Sequence, residues 1–229
     1  MSENYKWTRN WENLQRANYE GLGKYGIPRI RRAAVEDIDW ANANWLGCNF
    51  MRGCEDPEDH VLHFFTDDYQ FMRFWTDPDR YIPKLKRFKA VVAPDFSGYA
   101  DWPAALNIYN HYRKHWLARY WQENGVNVIP CINWVLKDSF DWCFDGEPVG
   151  GPVVMSIVGW SSIPKERRAT FADGYNEMMA RLKPETIVIF GRPIEECWGN
   201  TIYIKPFHDS ITERKNAKKL ELLKETIDN

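Results

Sequence analysis

Lys89-Ala-Val-Val-Ala-Pro-Asp-Phe-Ser-Gly-Tyr-Ala-Asp101 is the stretch whose reading decides the fold. Residues 90–93 are apolar without alternation, the pattern of a strand buried on both faces. Pro94 ends it and a polar turn follows. Asp101 then reads as a helix cap, and Pro103 as a first-turn residue whose missing N–H costs nothing. Three later stretches share this layout, an apolar run that stops abruptly at polar or glycine residues: 126–134, 153–161 and 186–192.

Helical periodicity fills the gaps. Short helices are expected over 69–75 and 79–87. A long one runs to about Asn124, where Gly125 is a natural stop. Its three- and four-residue steps place Ala105, Ile108, Tyr109, Tyr112, Trp116 and Tyr120 on one contact face. A clear late helix spans 164–182, with Phe171, Tyr175, Met178, Met179 and Leu182 on one side. Further strands are read at 61–65 and 201–204, and a charged helix at 211–227. Alternating strands and helices give an α/β protein with a mostly parallel sheet of about five to six strands. An open doubly wound sheet fits that count best, and a small or partial barrel is the other arrangement. Residues 1–58 are polar, aromatic and irregular, and read as an arm packed on an α/β core of 59–207. Residues 208–229 carry the terminal helix.

The bulk numbers narrow the classes. The 229-residue chain has 30 Lys+Arg against 32 Asp+Glu, so bulk charge draws it to neither nucleic acid nor an anionic surface. No apolar run reaches the length of a membrane span, and the N-terminus lacks the pattern of a secretory signal. The five cysteines, at 48, 54, 131, 143 and 197, are scattered and odd in number, which suits reduced thiols in a cytoplasmic protein. Cys48, Cys54, His60 and His63 make a conceivable ligand quartet. His63, however, sits inside an apolar run and reads as a packed strand residue, so no metal site is assigned.

Right-handed crossovers put the C-terminal ends of parallel strands on one edge, where α/β proteins bind ligands. The residues expected there are Asp67 and Asp68, then Asp95 and Ser97, then Asn133 and Trp134, then Trp160 and Ser161, then Gly191 and Arg192. Asp95, directly after a buried strand, and Ser97 are the candidates for chemistry; their plainer role is to tie the turn together through backbone N–H groups. Trp134 and Trp160 suit a flat ring, and Arg192 a phosphate or carboxylate. Each also has an ordinary role, in core packing or a surface ion pair. His111 and His115 share a helix face and read as surface or partly buried. The P-loop, HExxH, GxSxG and paired CxxC motifs are absent from the sequence.

The runs His63-Phe-Phe-Thr-Asp-Asp-Tyr-Gln-Phe71, Pro94-Asp-Phe-Ser97, Asn107-Ile-Tyr-Asn-His-Tyr-Arg113, Val128-Ile-Pro130, 140–146 and Gly174-Tyr-Asn-Glu-Met178 together resemble the DUF4417 family. That resemblance spans roughly residues 25–205. It implies a bacterial, phage or mobile-element protein of uncharacterised activity, and so transfers no catalytic residue and no cofactor. The residues themselves suggest a nucleotide-like ligand at the strand edge, with hydrolysis or glycosyl transfer as the chemistry. A nucleic-acid-binding role would rest on Arg29, Arg31 and Arg32 with Arg214, Lys215, Lys218 and Lys219. A host-protein partner would use the aromatic arm.

Overall fold

The computed structural model describes residues 12–35, 37–161 and 168–205. A short antiparallel hairpin, β1 (Gly21–Leu22) and β2 (Ile27–Pro28), comes first. Seven parallel strands follow: β3 (Asn44–Gly47), β4 (His60–His63), β5 (Ala90–Val92), β6 (Val128–Ile129), β7 (Pro152–Ser156), β8 (Thr186–Phe190) and β9 (Thr201–Ile204). The helices between them are α1 (Asp68–Thr76), α2 (Ile82–Leu85), α3 (Ala104–Glu123), α4 (Val158–Ser161) and α5 (Ala169–Leu182). The α/β class and the parallel sheet are as the sequence led us to expect.

The winding differs from the doubly wound expectation. Strands β3 to β6 form one ladder and β7 to β9 another, each in chain order, and a parallel bridge between Cys131 and Val154 joins them. A doubly wound sheet reverses its strand order at a switch point, and no reversal occurs here. In a flat sheet β3 and β8 would lie five inter-strand steps apart, about 24 Å. Yet the Phe190 ring at the end of β8 is 5.0 Å from Trp45 of β3, 4.9 Å from His63 and 4.6 Å from Phe65. The sheet is therefore rolled, and the partial-barrel alternative describes it.

Alternation along the strands sorts the core. Val153, Met155, Ile187 and Ile189 point outward and pack with Phe171, Tyr175, Met178 and Leu182 of α5. Val154, Val188 and Phe190 belong instead to the cluster that holds Val61, Val91 and Ile129. On the other flank Trp121 of α3 stacks on Phe64 at 5.6 Å.

Several boundaries moved for local reasons. Residues 44–47, read from the sequence as part of the arm, add a strand beside β4. Pro130 lacks an N–H, so the stretch read at 126–134 pairs only through Val128–Ile129 and Cys131. Val158, inside the apolar stretch read at 153–161, begins α4 rather than extending the strand. Pro103 itself occupies the N-cap position of α3, with no side-chain cap, so Asp101 does not cap that helix. The expected helix at 211–227, the segment 208–229 and residues 1–11 lie outside the described residues, as does the first part of the helix expected over 164–182.

If Phe190 closes the roll, Phe190→Ala should cost about 3–5 kcal/mol in urea unfolding. Leu106→Ala, at a position 49% exposed, should stay within about 0.5 kcal/mol.

Candidate functional site

The site is built on a buried polar face of α3. Asn107, Asn110, His111, Lys114 and His115 recur at three- and four-residue steps, so they share one side of the helix. All five are buried. The tyrosines and Ile108 expected on the contact face are only partly buried, and His111 and His115 are interior rather than surface groups. Sequence periodicity missed this face because it scores hydrophobicity, and these are amides, imidazoles and an ammonium.

Two of the amides shape the loop after β5. Asn107 bonds Tyr99 twice, its Oδ1 accepting from the Tyr99 N–H at 3.1 Å and its Nδ2 donating to the Tyr99 carbonyl at 2.9 Å. Asn110 Nδ2 donates to the Ser97 carbonyl at 2.6 Å. The Arg113 guanidinium lies 4.1 Å over the Phe96 ring. From the other side the Asp68 carboxylate accepts the Ser97 N–H at 3.1 Å and its hydroxyl at 2.8 Å.

Beneath the loop runs a chain of charge. Lys114 Nζ, 1% exposed, donates to the Cys131 carbonyl at 2.7 Å and to Asn133 Oδ1 at 3.2 Å, and pairs with Glu147 Oε1 at 3.2 Å. Asn133 turns its Nδ2 to Asp95 Oδ1 at 2.9 Å. The orientation of that amide is forced, oxygen to ammonium and nitrogen to carboxylate. His115 lies between the Pro28 carbonyl at 2.9 Å and Glu147 Oε1 at 3.0 Å. Burial alone would raise the Glu147 carboxyl, but the His115 and Lys114 charges outweigh it and hold the carboxyl below its usual range. Gly146 makes the pairing possible: its φ is +79°, and a Cβ would fall 2.5 Å from the Pro28 carbonyl and 2.7 Å from His115 Nδ1.

Above this chain is a cleft of about 320 Å³ beyond the C-terminal ends of β5, β6 and β7, lined by Asp95, His111, Asn133, Trp134, Ser156 and Trp160 among others. Burial raises the Asp95 pKa to about 6, the Asp68 carboxylate adding to the rise while Lys114 and the Asn133 bond oppose it. His111 donates from Nε2 to the Asp145 carbonyl at 3.2 Å, which leaves Nδ1 as a lone pair without a protein partner. Burial, with the His115 and Lys114 charges, pushes the His111 pKa well below its ordinary value, so the ring is neutral. The cleft thus offers a carboxyl group titrating near neutrality, a neutral imidazole and indole rings.

The residues expected at the strand edge divide. Asp95, Ser97, Asn133, Trp134 and Trp160 do meet in the cleft. The Ser97 hydroxyl is committed to Asp68, so both serve to hold the loop. Trp134 and Trp160 do not form a slot between them; each packs on Phe171, at 5.3 and 5.4 Å. Gly174 leaves room for Trp134, since a Cβ there would meet the indole Nε1 at 2.2 Å. Asp67 is exposed and outside the lining. Gly191 packs against Ile157, and neither it nor the exposed Arg192 lines the cleft. The Ser161 side chain lies outside the described residues. Of the basic candidates, Arg31 bonds the Gln122 carbonyl at 2.9 Å and Arg32 pairs with Glu185 at 2.6 Å. Arg214, Lys215, Lys218 and Lys219 lie outside the described residues.

Known proteins place the chain. Residues 19–208 match the family described as Domain of unknown function (DUF4417). The chain belongs to the DUF4417 family. Among curated proteins, this DUF4417 chain is similar to the Gene 1 protein of Mycobacterium phage D29, 40% identical over 179 residues, and to that of Mycobacterium phage L5, 34% identical over 179 residues. The match takes in 77% of this chain, and 64% and 76% of those two relatives. No solved structure matches. Among the described residues, no helix of the DUF4417 chain is long and apolar enough to cross a membrane.

The raised Asp95 pKa makes a stability prediction. Below its ordinary value of 3.8, both folded and unfolded chains hold the proton. As pH rises towards 6, the unfolded chain ionises first and stability is lost, by about 3 kcal/mol at most. Asp95→Asn, which keeps the bond from Asn133, should match the wild type near pH 4 in denaturant unfolding. It should be the more stable protein at pH 7.

Proposed function

We propose that the protein is a phage-type accessory protein whose cleft binds a neutral nucleoside-like ligand, with Asp95 as its acid–base group. The observation that carries this reading is the convergence of Asp95, neutral His111 and the indole of Trp160 in one cleft. Among the described residues the lining contains no lysine or arginine. The described lining offers a ligand hydrogen bonds and ring contacts, which suits the base and sugar of the nucleotide-like ligand suggested by the sequence. The phage setting rests on the D29 and L5 relatives.

The chemistry that fits is hydrolysis or transfer at a glycosidic bond. Water adds across that bond, its hydroxyl to the anomeric carbon and its proton to the departing nitrogen, and Asp95 carries the proton between them. A carboxyl near pH 6 has both forms populated at working pH, which general acid–base catalysis favours. Of the basic groups a nucleic-acid role would use, Arg31 and Arg32 are engaged within the fold.

A thermal-shift panel of nucleosides, nucleotides and free bases tests this. A nucleoside at 100-fold over its Kd should stabilise the fold by about 2.7 kcal/mol, and its 5′-phosphate should add nothing. Asp95→Asn should still bind the nucleoside but lose release of free base, read by chromatography. Silence across the panel, or full turnover in Asp95→Asn, overturns the reading.

A further inference from the structure

A second group of ligating side chains lies at the opposite end of the strands. His60 is the first residue of β4, so it sits at the N-terminal edge of the sheet, away from the Asp95 cleft. The chain just before it, Cys54-Glu-Asp-Pro-Glu-Asp-His60, is rich in acidic residues, and a 3-10 turn over Pro57–Asp59 folds it back. That fold brings Cys54 Sγ to 3.9 Å from His60 Nδ1 and 3.9 Å from Asp56 Oδ1, with His60 Nδ1 and Asp56 Oδ1 3.7 Å apart. These three atoms are mutually close enough to share one ion.

The three edges decide which kind of ion. With zinc bond lengths of about 2.3 Å to sulfur and 2.0–2.1 Å to nitrogen or oxygen, a tetrahedral site needs edges of about 3.6 Å to sulfur and 3.3 Å between the others. The observed triangle is wider by a similar small amount on every edge, so an even contraction makes it fit. Thiolate, imidazole and one carboxylate suit zinc and its neighbours rather than magnesium or calcium, which take oxygen. Cys48 and His63, the other half of the quartet raised by the sequence, take no part: Cys48 is buried in the core and His63 stacks on Phe65 at 5.4 Å.

We infer that Cys54, Asp56 and His60 form a binding site for a zinc-type divalent ion, with the fourth position open to the pocket lined by Leu46, Phe50 and Glu55. His60 Nδ1 now stands 2.9 Å from the Asp56 carbonyl. On binding, the proton it donates there moves to Nε2, and the Cys54 thiol gives its proton to solvent as sulfur joins the ion. The ion thereby replaces a hydrogen bond and a protonated thiol with three ligand bonds, and fixes the 54–60 turn to the sheet.

Cobalt(II) titration of the reduced full chain tests the assignment. One equivalent should give the strong visible absorption of tetrahedral cobalt with a near-ultraviolet thiolate band, and zinc should abolish both. Cys54→Ser should fold as the wild type, by circular dichroism, but lose the thiolate band. Asp56→Asn should bind cobalt at least tenfold more weakly. No tetrahedral spectrum in the wild type, or a thiolate band that persists in Cys54→Ser, overturns the inference. Nucleoside binding at the cleft is unaffected by either outcome.

Discussion

A buried ammonium organises the molecule. Lys114 lies in the middle of α3 and is almost fully removed from water, yet it reaches the end of β6, the Asn133 side chain and Glu147 at once. An unpaired charge in that position would be prohibitive, so every group around it is constrained to supply oxygen. Those constraints fix three pieces of chain that are far apart in sequence: the helix, the strand end and the turn at Gly146. They also fix the polarity of the cleft floor, because Asn133 passes the lysine's field on to Asp95. Lys114 opposes the rise in the Asp95 pKa, and burial wins by enough to leave the carboxyl titrating near 6.

The rest of the fold delivers these groups to one place. Parallel strands running in chain order put the turns after β5, β6 and β7 side by side, and the roll of the sheet turns their polar ends over a common floor. Phe190 bridges the strands that a flat sheet would hold apart. The two proposed sites then occupy the two ends of the same strands. The cleft lies beyond the C-terminal ends, where α/β proteins do chemistry. The Cys54, Asp56 and His60 triangle lies at the N-terminal edge, where an ion would act on the stability of the scaffold.

Much of this was legible in the sequence, and the rest was hidden for identifiable reasons. Apolar runs ending in polar turns gave the parallel sheet, and with it the meeting of Asp95, Asn133 and Trp134. The runs do not say whether a sheet rolls, because winding depends on which strands neighbour each other. Residues 44–47 were obscure as a strand because the signal rests on only four residues, Asn-Trp-Leu-Gly, none of them fully buried. The buried face of α3 was invisible to a hydrophobicity reading, although Lys114, His111 and His115 recur at helical spacing beside the aromatics. Arg192 follows a strand as expected, but Gly191 packs on Ile157 and Arg192 stays outside the cleft lining, which no local pattern could have told.

The carboxyl carbon of Asp95, followed by NMR through a pH titration, tests the account most directly. A midpoint near 6 in the wild type, moving higher in Lys114→Gln where the opposing cation is gone, is the result expected. A wild-type midpoint near 4 would show an ordinary solvated aspartate, and would contradict both the buried charge chain and the acid–base role built on it.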